Sequence, residues 1–180
     1  MRTEDIPVNQ ELERFEPAEA GGRLAYEHLH RYAICRDQVA GRKVLDVPCG
    51  AGYGTNILAQ VAAEVVGVDI DSAAIRRARR KYRRDNLKFV TADCCEMPFE
   101  SASFDVVIAN VLIEHIVDHD RFIEEVKRVL RPEGTFLVST PNKPIYNRYK
   151  SPNPFHVSEM NIPQFRGLLE HHFKHVHFTG

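Results

Sequence analysis

The stretch "VLDVPCGAGYGT", residues 44–55, decides the fold because it joins an apolar run to a glycine-rich turn. The run ends in a carboxylate, Asp46, and three glycines follow at alternate positions, Gly50, Gly52 and Gly54. A glycine-rich turn from a strand into a helix N-terminus lets the backbone approach a ligand closely, although glycines also serve tight turns. The stretch therefore predicts a first strand whose carboxyl end borders a ligand site.

Short apolar runs rich in β-branched residues alternate with amphipathic segments through the rest of the chain. The predicted strands are "KVLDV", "VVGVDI", "LKFVTAD", "DVVIAN" and "TFLVSTPN", and the predicted helices are "TNILAQVAA", "SAAIRRARRKYRR", "DRFIEEVKRVLRPEG" and "IPQFRGLLEHHF". This alternation requires right-handed crossovers between strands, and hence a sheet with helices on both faces. We predict a doubly wound, mostly parallel α/β fold.

The length of the chain, 180 residues, is that of one ordinary domain. A polar lead and an amphipathic helix, "AGGRLAYEHLHRYAICRDQVAG", are predicted within residues 1–40, ahead of a ligand-binding α/β unit over residues 41–180. A proline-containing segment within residues 143–160 follows the fifth strand, at the edge where such sheets bind ligands. This segment is either a lid or a simple connection.

The composition argues against several classes of protein. Lys and Arg total 24 against 25 Asp and Glu, so the chain has no overall field that would attract nucleic acid or an anionic membrane. The charged N-terminus is unlike a secretory signal, and no apolar run is long enough to span a bilayer. The four cysteines show neither CxxC pairs nor zinc spacing. We expect a cytoplasmic protein with free thiols.

A second carboxylate indicates which ligand the glycine turn holds. Asp69 ends the second strand about 20 positions after the turn, where an acidic residue can hold a ribose diol. Two nucleoside ligands compete, a nicotinamide dinucleotide and S-adenosylmethionine. Asp46 would repel a pyrophosphate but attract an ammonium and a sulfonium, and Thr55 stands where the dinucleotide fingerprint starting at Gly50 needs glycine. The charge pattern favours S-adenosylmethionine. Asp93, after the third strand, either caps a turn or reaches the adenine amino group.

The motifs resemble those of class I S-adenosylmethionine-dependent methyltransferases over about residues 40–175. The matching stretches, in order, are "LDVPCGAGYGT", "VVGVDID", "TADCCEMPF", "IANVLIEHI", "VLRPEG" and "TFLVSTPN". The resemblance implies a Rossmann-like enzyme that methylates a small-molecule acceptor and releases S-adenosylhomocysteine. It assigns the methionine moiety to Asp46 and the loop Gly50–Gly52, the ribose to Asp69, the adenine ring to Ile70, the adenine edge to Asp93 and Cys94, and the path to the sulfonium to Asn110. Pro48 departs from the family, which usually has glycine there, and its carbonyl can accept a hydrogen bond but its nitrogen cannot donate one.

Two further stretches are similar to a bacterial subgroup linked to modification of sugars or cell-surface glycans. They are "ERFEPAEAGGRLAYEHLHRY" and "SPNPFHVSEM". The similarity implies a sugar or glycan-precursor hydroxyl as acceptor and an N-terminal helix over the cofactor, with contacts from Tyr26, His30 and Arg31 unless these are surface residues. The family's sheet ends in a hairpin of a sixth and a seventh strand. Here "KHVHFTG" predicts only the start of the sixth, so the sheet should lack its last strand and leave an edge open, for example to a homodimer. A non-catalytic nucleoside-binding module that needs a partner is the alternative from another class.

Methyl transfer needs a base only when the acceptor is a hydroxyl or a protonated amine. His115 and His156 come from the ligand-binding edge, and histidine as a residue type titrates near neutral pH, so they are the candidate bases unless they are hydrogen-bonded structural histidines. Glu114 is the candidate orienting or capping group.

A sharper alternative comes from the similarity of "IEH", "TPN" and a later histidine to small-RNA 3′-terminal 2′-O-methyltransferases, which bind a divalent metal. Glu114, His115 and His156 match three of that family's four ligands, but Val111 stands where a glutamate is expected. The basic run Arg76–Arg84 would contact the RNA, although it also suits a solvated helix face. We therefore favour a small-molecule acceptor, with no metal and no nucleic acid.

Overall fold

The computed structural model describes residues 23–149 and 153–179. The predicted polar lead over residues 1–22 and three residues of the predicted lid, 150–152, lie outside the described residues. Among the residues that are described, no helix combines the length and the apolar character that crossing a bilayer requires.

Five strands form one sheet in which every neighbouring pair is parallel. The strands are β1 (Lys43–Asp46), β2 (Glu64–Asp69), β3 (Leu87–Thr91), β4 (Phe104–Asn110) and β5 (Leu130–Ser139). Their order across the sheet is β3-β2-β1-β4-β5. The order reverses between β1 and β4, and open sheets of this kind bind ligands outside the carboxyl ends of the strands at such a point. The predicted doubly wound α/β fold is confirmed.

Seven α-helices and one short 3-10 helix connect and cover these strands within the described residues. The helices are α1 (Arg23–Ala33), α2 (Arg36–Val39), α3 (Tyr53–Leu58), α4 (Ser72–Lys81), α5 (His119–Val129), α6 (Lys143–Tyr149) and α7 (Ile162–His172), and the 3-10 helix is Ile113–His115. Side chains of Asp71, Asp118 and Asn161 accept hydrogen bonds from backbone N–H groups in the first turns of α4, α5 and α7. These caps explain where the three helices begin, because they satisfy N–H groups that have no partner within the helix.

Two apolar layers enclose the sheet. On one face, Val44, Val65 and Ile108 pack with residues of α1, α2 and α3, among them Tyr32 and Leu58. On the other face, Leu45, Val66 and Val107 pack with Phe122, Ile123 and Val126 of α5. Successive strand residues point to opposite faces, so one short apolar run supplies both layers. Because both faces are covered, a ligand can reach the sheet at the ends of its strands.

Four boundaries differ from the sequence prediction. The single helix predicted before β1 is two helices, separated at Ile34 and Cys35. The next predicted helix begins earlier, at Tyr53, and ends at Leu58. The predicted helix through residue 84 ends at Lys81 because Tyr82 takes an extended conformation and packs on the core. Residues 130–134 were expected to end a helix, but they begin β5, where Leu130 pairs with Phe104.

The end of the chain also differs from the prediction. Residues 174–179 form no strand, so no sixth strand begins within the described residues. Phe178 instead packs against Phe165 of α7, with ring centroids 5.9 Å apart. Among the described residues no strand pairs with the outer side of β5. The segment predicted as a lid contains a helix, α6.

Candidate functional site

The carboxyl ends of three adjacent strands bring polar side chains to one edge of the sheet. Asp46 ends β1, Asp69 ends β2 and Asn110 ends β4, and β1 lies between the other two strands. All three residues are buried or nearly so, although burial of a polar group costs free energy unless it is compensated. The sheet therefore assembles the residues that the sequence pattern singled out.

Asp46 is fully buried and is held by two hydroxyl groups. The hydroxyl of Thr55 donates to Oδ2 over 2.7 Å, and the hydroxyl of Tyr32 donates to Oδ1 over 3.3 Å. Burial raises the pKa of Asp46 to about 7, although both hydrogen bonds oppose that shift. A positive group placed beside Asp46 would favour its ionised form.

Neither partner of Asp46 is predicted from the sequence. In the sequence, Tyr32 stands out only as part of a predicted amphipathic helix, and Thr55 only as a residue at a position where the dinucleotide fingerprint needs glycine. The hydroxyl of Tyr32 comes from a helix on another part of the chain, so no local pattern indicates the contact. Thr55 could have been found, because it lies one turn into the helix that starts beside the end of β1.

The glycine turn has the close backbone approach that its composition predicts. Gly50 and Gly52 have positive φ values of 50° and 81°, which favour glycine. A Cβ on Gly52 would lie 2.8 Å from the Cβ of Ala78 in α4. The backbone N–H of Gly50 donates a 2.8 Å hydrogen bond to Asp69 Oδ2, so the turn is tied to the end of β2.

The other residues predicted to contact a cofactor line the same edge. Ile70 follows β2 with a side chain that is 60% exposed, and Pro48 is half-buried in the turn after β1. Asp93 and Cys94 follow β3, and Asp93 Oδ1 accepts a 2.8 Å hydrogen bond from the N–H of Cys95. Burial raises the pKa of the Cys94 thiol, so this thiol stays protonated at neutral pH.

Two buried donors beside this edge have no hydrogen-bond partner within the described part of the chain. They are Nδ2 of Asn110 and one guanidinium nitrogen of Arg31 on α1. Asn110 Oδ1 does accept a 2.8 Å hydrogen bond from Ser139, which orients the amide. Tyr26 and His30, the other helix residues considered, are exposed and stack on each other. Unpaired buried donors are costly, so these two atoms are candidates for hydrogen bonds to a ligand or to water.

A cluster of three titratable side chains lies at the same carboxyl edge of the sheet. Its members come from the part of the chain between β4 and α7. Possible metal-ligating atoms of Glu114, His115 and His156 lie within 4.8 Å of one another. The two imidazole rings meet edge to face, with centroids 5.0 Å apart. The carbonyl of Glu114 accepts hydrogen bonds from the N–H groups of Val157 and Ser158, which hold the later segment against the 3-10 helix.

Glu114 is the most deeply buried member of this cluster. Its Oε2 accepts a 3.1 Å hydrogen bond from the hydroxyl of Thr140, whereas its buried Oε1 has no hydrogen-bond partner within the described residues. Burial raises the pKa of Glu114, and its own backbone N–H and the charges of His115 and His156 oppose the shift. A free carboxylate oxygen beside two histidines suits binding of a proton, of a polar acceptor group or of a cation.

Each histidine of the cluster is oriented through its Nδ1 atom. Nδ1 of His115 lies 2.9 Å from the carbonyl oxygen of Phe155, and Nδ1 of His156 lies 2.9 Å from Glu159 Oε1. A carbonyl only accepts, so Nδ1 of His115 carries the proton and its neutral ring has the lone pair on Nε2. Glu159 and the ring of Tyr146, 5.2 Å from that of His156, are site residues that the sequence analysis missed.

The ligand candidates of the RNA alternative lie at the carboxyl edge of the sheet, whereas its basic run leads away from that edge. Val111, where a fourth ligand was expected, follows β4 at the carboxyl edge. The basic helix α4 begins just after the carboxyl end of β2 and ends before the start of β3. Arg84, at the end of the basic run, lies two residues before Asn86, whose carbonyl accepts a hydrogen bond from the N–H of Val65 near the start of β2, so the run ends at the amino edge of the sheet. The structure thus brings the three ligand candidates together but separates them from the C-terminal half of the basic run.

Residues 45–138 match a protein family that is described as a methyltransferase domain. A protein of Mycolicibacterium smegmatis named "Probable S-adenosylmethionine-dependent methyltransferase" is 43% identical over 141 residues, which are 77% of this chain and 54% of that protein. A phthiotriol/phenolphthiotriol dimycocerosates methyltransferase of Mycobacterium tuberculosis is 38% identical over 125 residues, 67% of this chain and 46% of that enzyme. The chain spans about half the length of these curated relatives.

A solved structure supports the same fold. The PH0226 protein of Pyrococcus horikoshii superposes with a TM-score of 0.68 at 27% identity, covering 82% of this chain and 80% of that protein.

Proposed function

The chain belongs to the S-adenosylmethionine-dependent methyltransferases, and on this premise we propose that it transfers a methyl group to a hydroxyl of a small-molecule acceptor. One observation carries the proposal. A buried carboxylate suited to a cationic ligand, Asp46, and a cluster suited to a hydroxyl, Glu114 with His115 and His156, lie at the same edge of the sheet. S-adenosylmethionine, when bound, supplies an electrophilic methyl group on a sulfonium.

The residues around the glycine turn fit this cofactor. Asp46 would attract its ammonium group, and Asp69 would accept hydrogen bonds from its ribose hydroxyls. The buried guanidinium nitrogen of Arg31 suits the carboxylate of the methionine moiety, and Asn110 Nδ2 is a second donor in need of an acceptor. Ile70, exposed at the end of β2, would cover the adenine ring.

The histidine cluster would receive the acceptor. In the proposed step His115 Nε2 takes the hydroxyl proton while the new carbon–oxygen bond forms and the carbon–sulfur bond breaks, which yields S-adenosylhomocysteine. The hydrogen bond from Nδ1 to Phe155 keeps the lone pair on Nε2. Glu114 would stabilise the imidazolium that results, and His156 is the second candidate for the same role.

The acceptor class includes sugar hydroxyls, as the similarity to the glycan-linked subgroup implies. It also includes lipid alcohols, since one relative is named for methylation of phthiotriol lipids. The proposal places the enzyme in the cytoplasm. Association of two copies through β5 remains a prediction, and a nucleoside-binding module without activity is the alternative that turnover would exclude.

A second candidate function is metal-assisted methylation of an RNA 2′-hydroxyl. The observation that favours it is the convergence of Glu114, His115 and His156, because two histidines and a carboxylate are a common metal-binding set. The small-molecule function is preferred because Arg84, in the proposed RNA contact, lies near the other edge of the sheet.

Isothermal titration calorimetry with S-adenosylhomocysteine, with NAD as control, tests the cofactor. Binding of the first and not of the second is expected. Release of S-adenosylhomocysteine from S-adenosylmethionine is then measured with free sugars, lipid alcohols and a single-stranded RNA, each with and without EDTA. Turnover that requires RNA and is abolished by EDTA would favour the second function, and binding without turnover on any acceptor would favour the module.

A further inference from the structure

Half of the large apolar side chains that are exposed in the described residues lie on segments that meet at the histidine cluster. Eight large apolar side chains are exposed among the described residues. Four of them, here called the apolar rim, are Val117 (85% exposed), Ile145 (58%), Val157 (58%) and Ile162 (51%). Single exposed apolar side chains are ordinary, whereas a gathering of them marks a binding surface.

Backbone hydrogen bonds connect the segments that carry the rim. The N–H of Val157 donates to the carbonyl of Glu114 over 2.9 Å, and Val117 lies just beyond Glu114 in the chain. The N–H of Lys143 donates to the carbonyl of Met160 over 3.0 Å, which brings the start of α6, with Ile145, beside the start of α7 at Ile162.

The segments that carry Ile145 and Val157 also meet at the histidine cluster. Tyr146, next to Ile145, has its ring 5.2 Å from that of His156, and His156 precedes Val157. The rim therefore borders a small polar centre of two histidines and a buried carboxylate. A polar centre with an apolar border matches a molecule that has a hydroxyl at the end of a hydrocarbon chain.

We propose that the acceptor is an amphiphile, a lipid alcohol or a lipid-linked sugar, whose hydroxyl enters the histidine cluster and whose aliphatic chain lies on the apolar rim. The inference rests on the proposed function, since it names the class of acceptor for that site. A free sugar would leave the four aliphatic side chains in water. The hydrocarbon chain of an amphiphile would cover them, and each methylene that it buries would tighten binding.

Alkyl β-glucosides of increasing chain length, used below their critical micelle concentrations, probe the rim without requiring the natural acceptor. Binding of methyl, hexyl and octyl glucoside is measured by calorimetry on the full chain saturated with S-adenosylhomocysteine. Affinity should rise by up to about fourfold for each buried methylene. The double variant Val117→Ser, Val157→Ser should bind octyl glucoside at least tenfold more weakly.

Ile34→Ser is the matched control, because Ile34 is also 58% exposed but lies at the turn between α1 and α2. It should bind octyl glucoside like the wild type, and all variants should bind S-adenosylhomocysteine equally. Equal affinity for methyl and octyl glucoside, or octyl binding that survives in the double variant, would overturn the inference. So would a wild-type dimer that becomes monomeric in the double variant on sedimentation, since a second copy would then occupy the rim. Loss of S-adenosylhomocysteine binding in the wild type would instead count against the proposed function.

Discussion

Asp69 and Gly50 are joined by a 2.8 Å hydrogen bond from the backbone N–H of the glycine to Oδ2 of the carboxylate. The second oxygen, Oδ1, accepts a 2.9 Å hydrogen bond from the N–H of Asp71. A carboxylate can accept about four hydrogen bonds, so Asp69 can hold both N–H groups and still bind a diol. One side chain thus fixes the glycine turn, and in the proposed complex it would also accept hydrogen bonds from the ribose.

Replacement of Asp69 by alanine should weaken binding of S-adenosylhomocysteine at least tenfold, because the diol loses its acceptors and the turn loses its anchor. Calorimetry measures the affinity. Asp71→Ala is the matched control, since it removes the N-cap of α4 and should lower the free energy of unfolding by about 1 kcal/mol while the affinity is retained. Wild-type affinity in Asp69→Ala would contradict the assignment.

The buried Asp46 should make the unliganded protein less stable as pH rises from about 4 to about 7. Its folded-state pKa of about 7 lies above its ordinary value of 3.8, so the folded protein holds a proton that the unfolded chain has already lost. The contribution is largest below the unfolded pKa and is lost as pH rises through the folded pKa. Urea unfolding across this range measures the trend, and in Asp46→Asn the decline should be smaller. An equal decline in the variant would show that other groups cause it.

Binding of S-adenosylhomocysteine should tighten as pH rises toward 7 and should release a proton from Asp46, because the ligand's ammonium favours the carboxylate. Calorimetry in two buffers with different ionisation enthalpies measures that release. Thr55→Val removes the 2.7 Å hydrogen bond to Asp46, so the pKa should rise and the affinity should reach its plateau at a higher pH. An unchanged pH profile in Thr55→Val would argue against Asp46 as the titrating group.

Replacement of Gly54 by alanine should destabilise the protein by roughly 1–3 kcal/mol, the usual range for overpacking. A Cβ at this position would overlap the ring of Tyr32, so α1 must move away from α3. Gly167→Ala, in the exposed part of α7, meets nothing within 4 Å and should stabilise the protein by roughly 0.5–1 kcal/mol. The free energies of unfolding in urea test both changes. Equal free energies of unfolding for the two variants would mean that the position of α1 does not depend on the close contact between Gly54 and Tyr32.

Much of the fold could be predicted because its signals are local. The apolar runs at β1, β2 and β4 have β-branched composition, and Asp71 and Asn161 are capping residues that mark helix starts in the sequence itself. The boundaries that failed depend on tertiary contacts. Tyr82 leaves the helix because its ring packs on the core, and Leu130 begins a strand because Phe104 is available to pair with it.

For the site, the sequence by itself determined which residues stand at strand ends and that a carboxylate precedes a glycine turn, since a parallel sheet brings the ends of its strands to one edge. Only the tertiary structure decided that Tyr32 donates to Asp46, that Glu114 meets His156, and that segments with exposed aliphatic side chains come together at that meeting point. These contacts join segments far apart in the chain. Spacing and periodicity describe neighbours along the chain, whereas the packing of helices and connecting segments on the sheet determines which distant side chains touch.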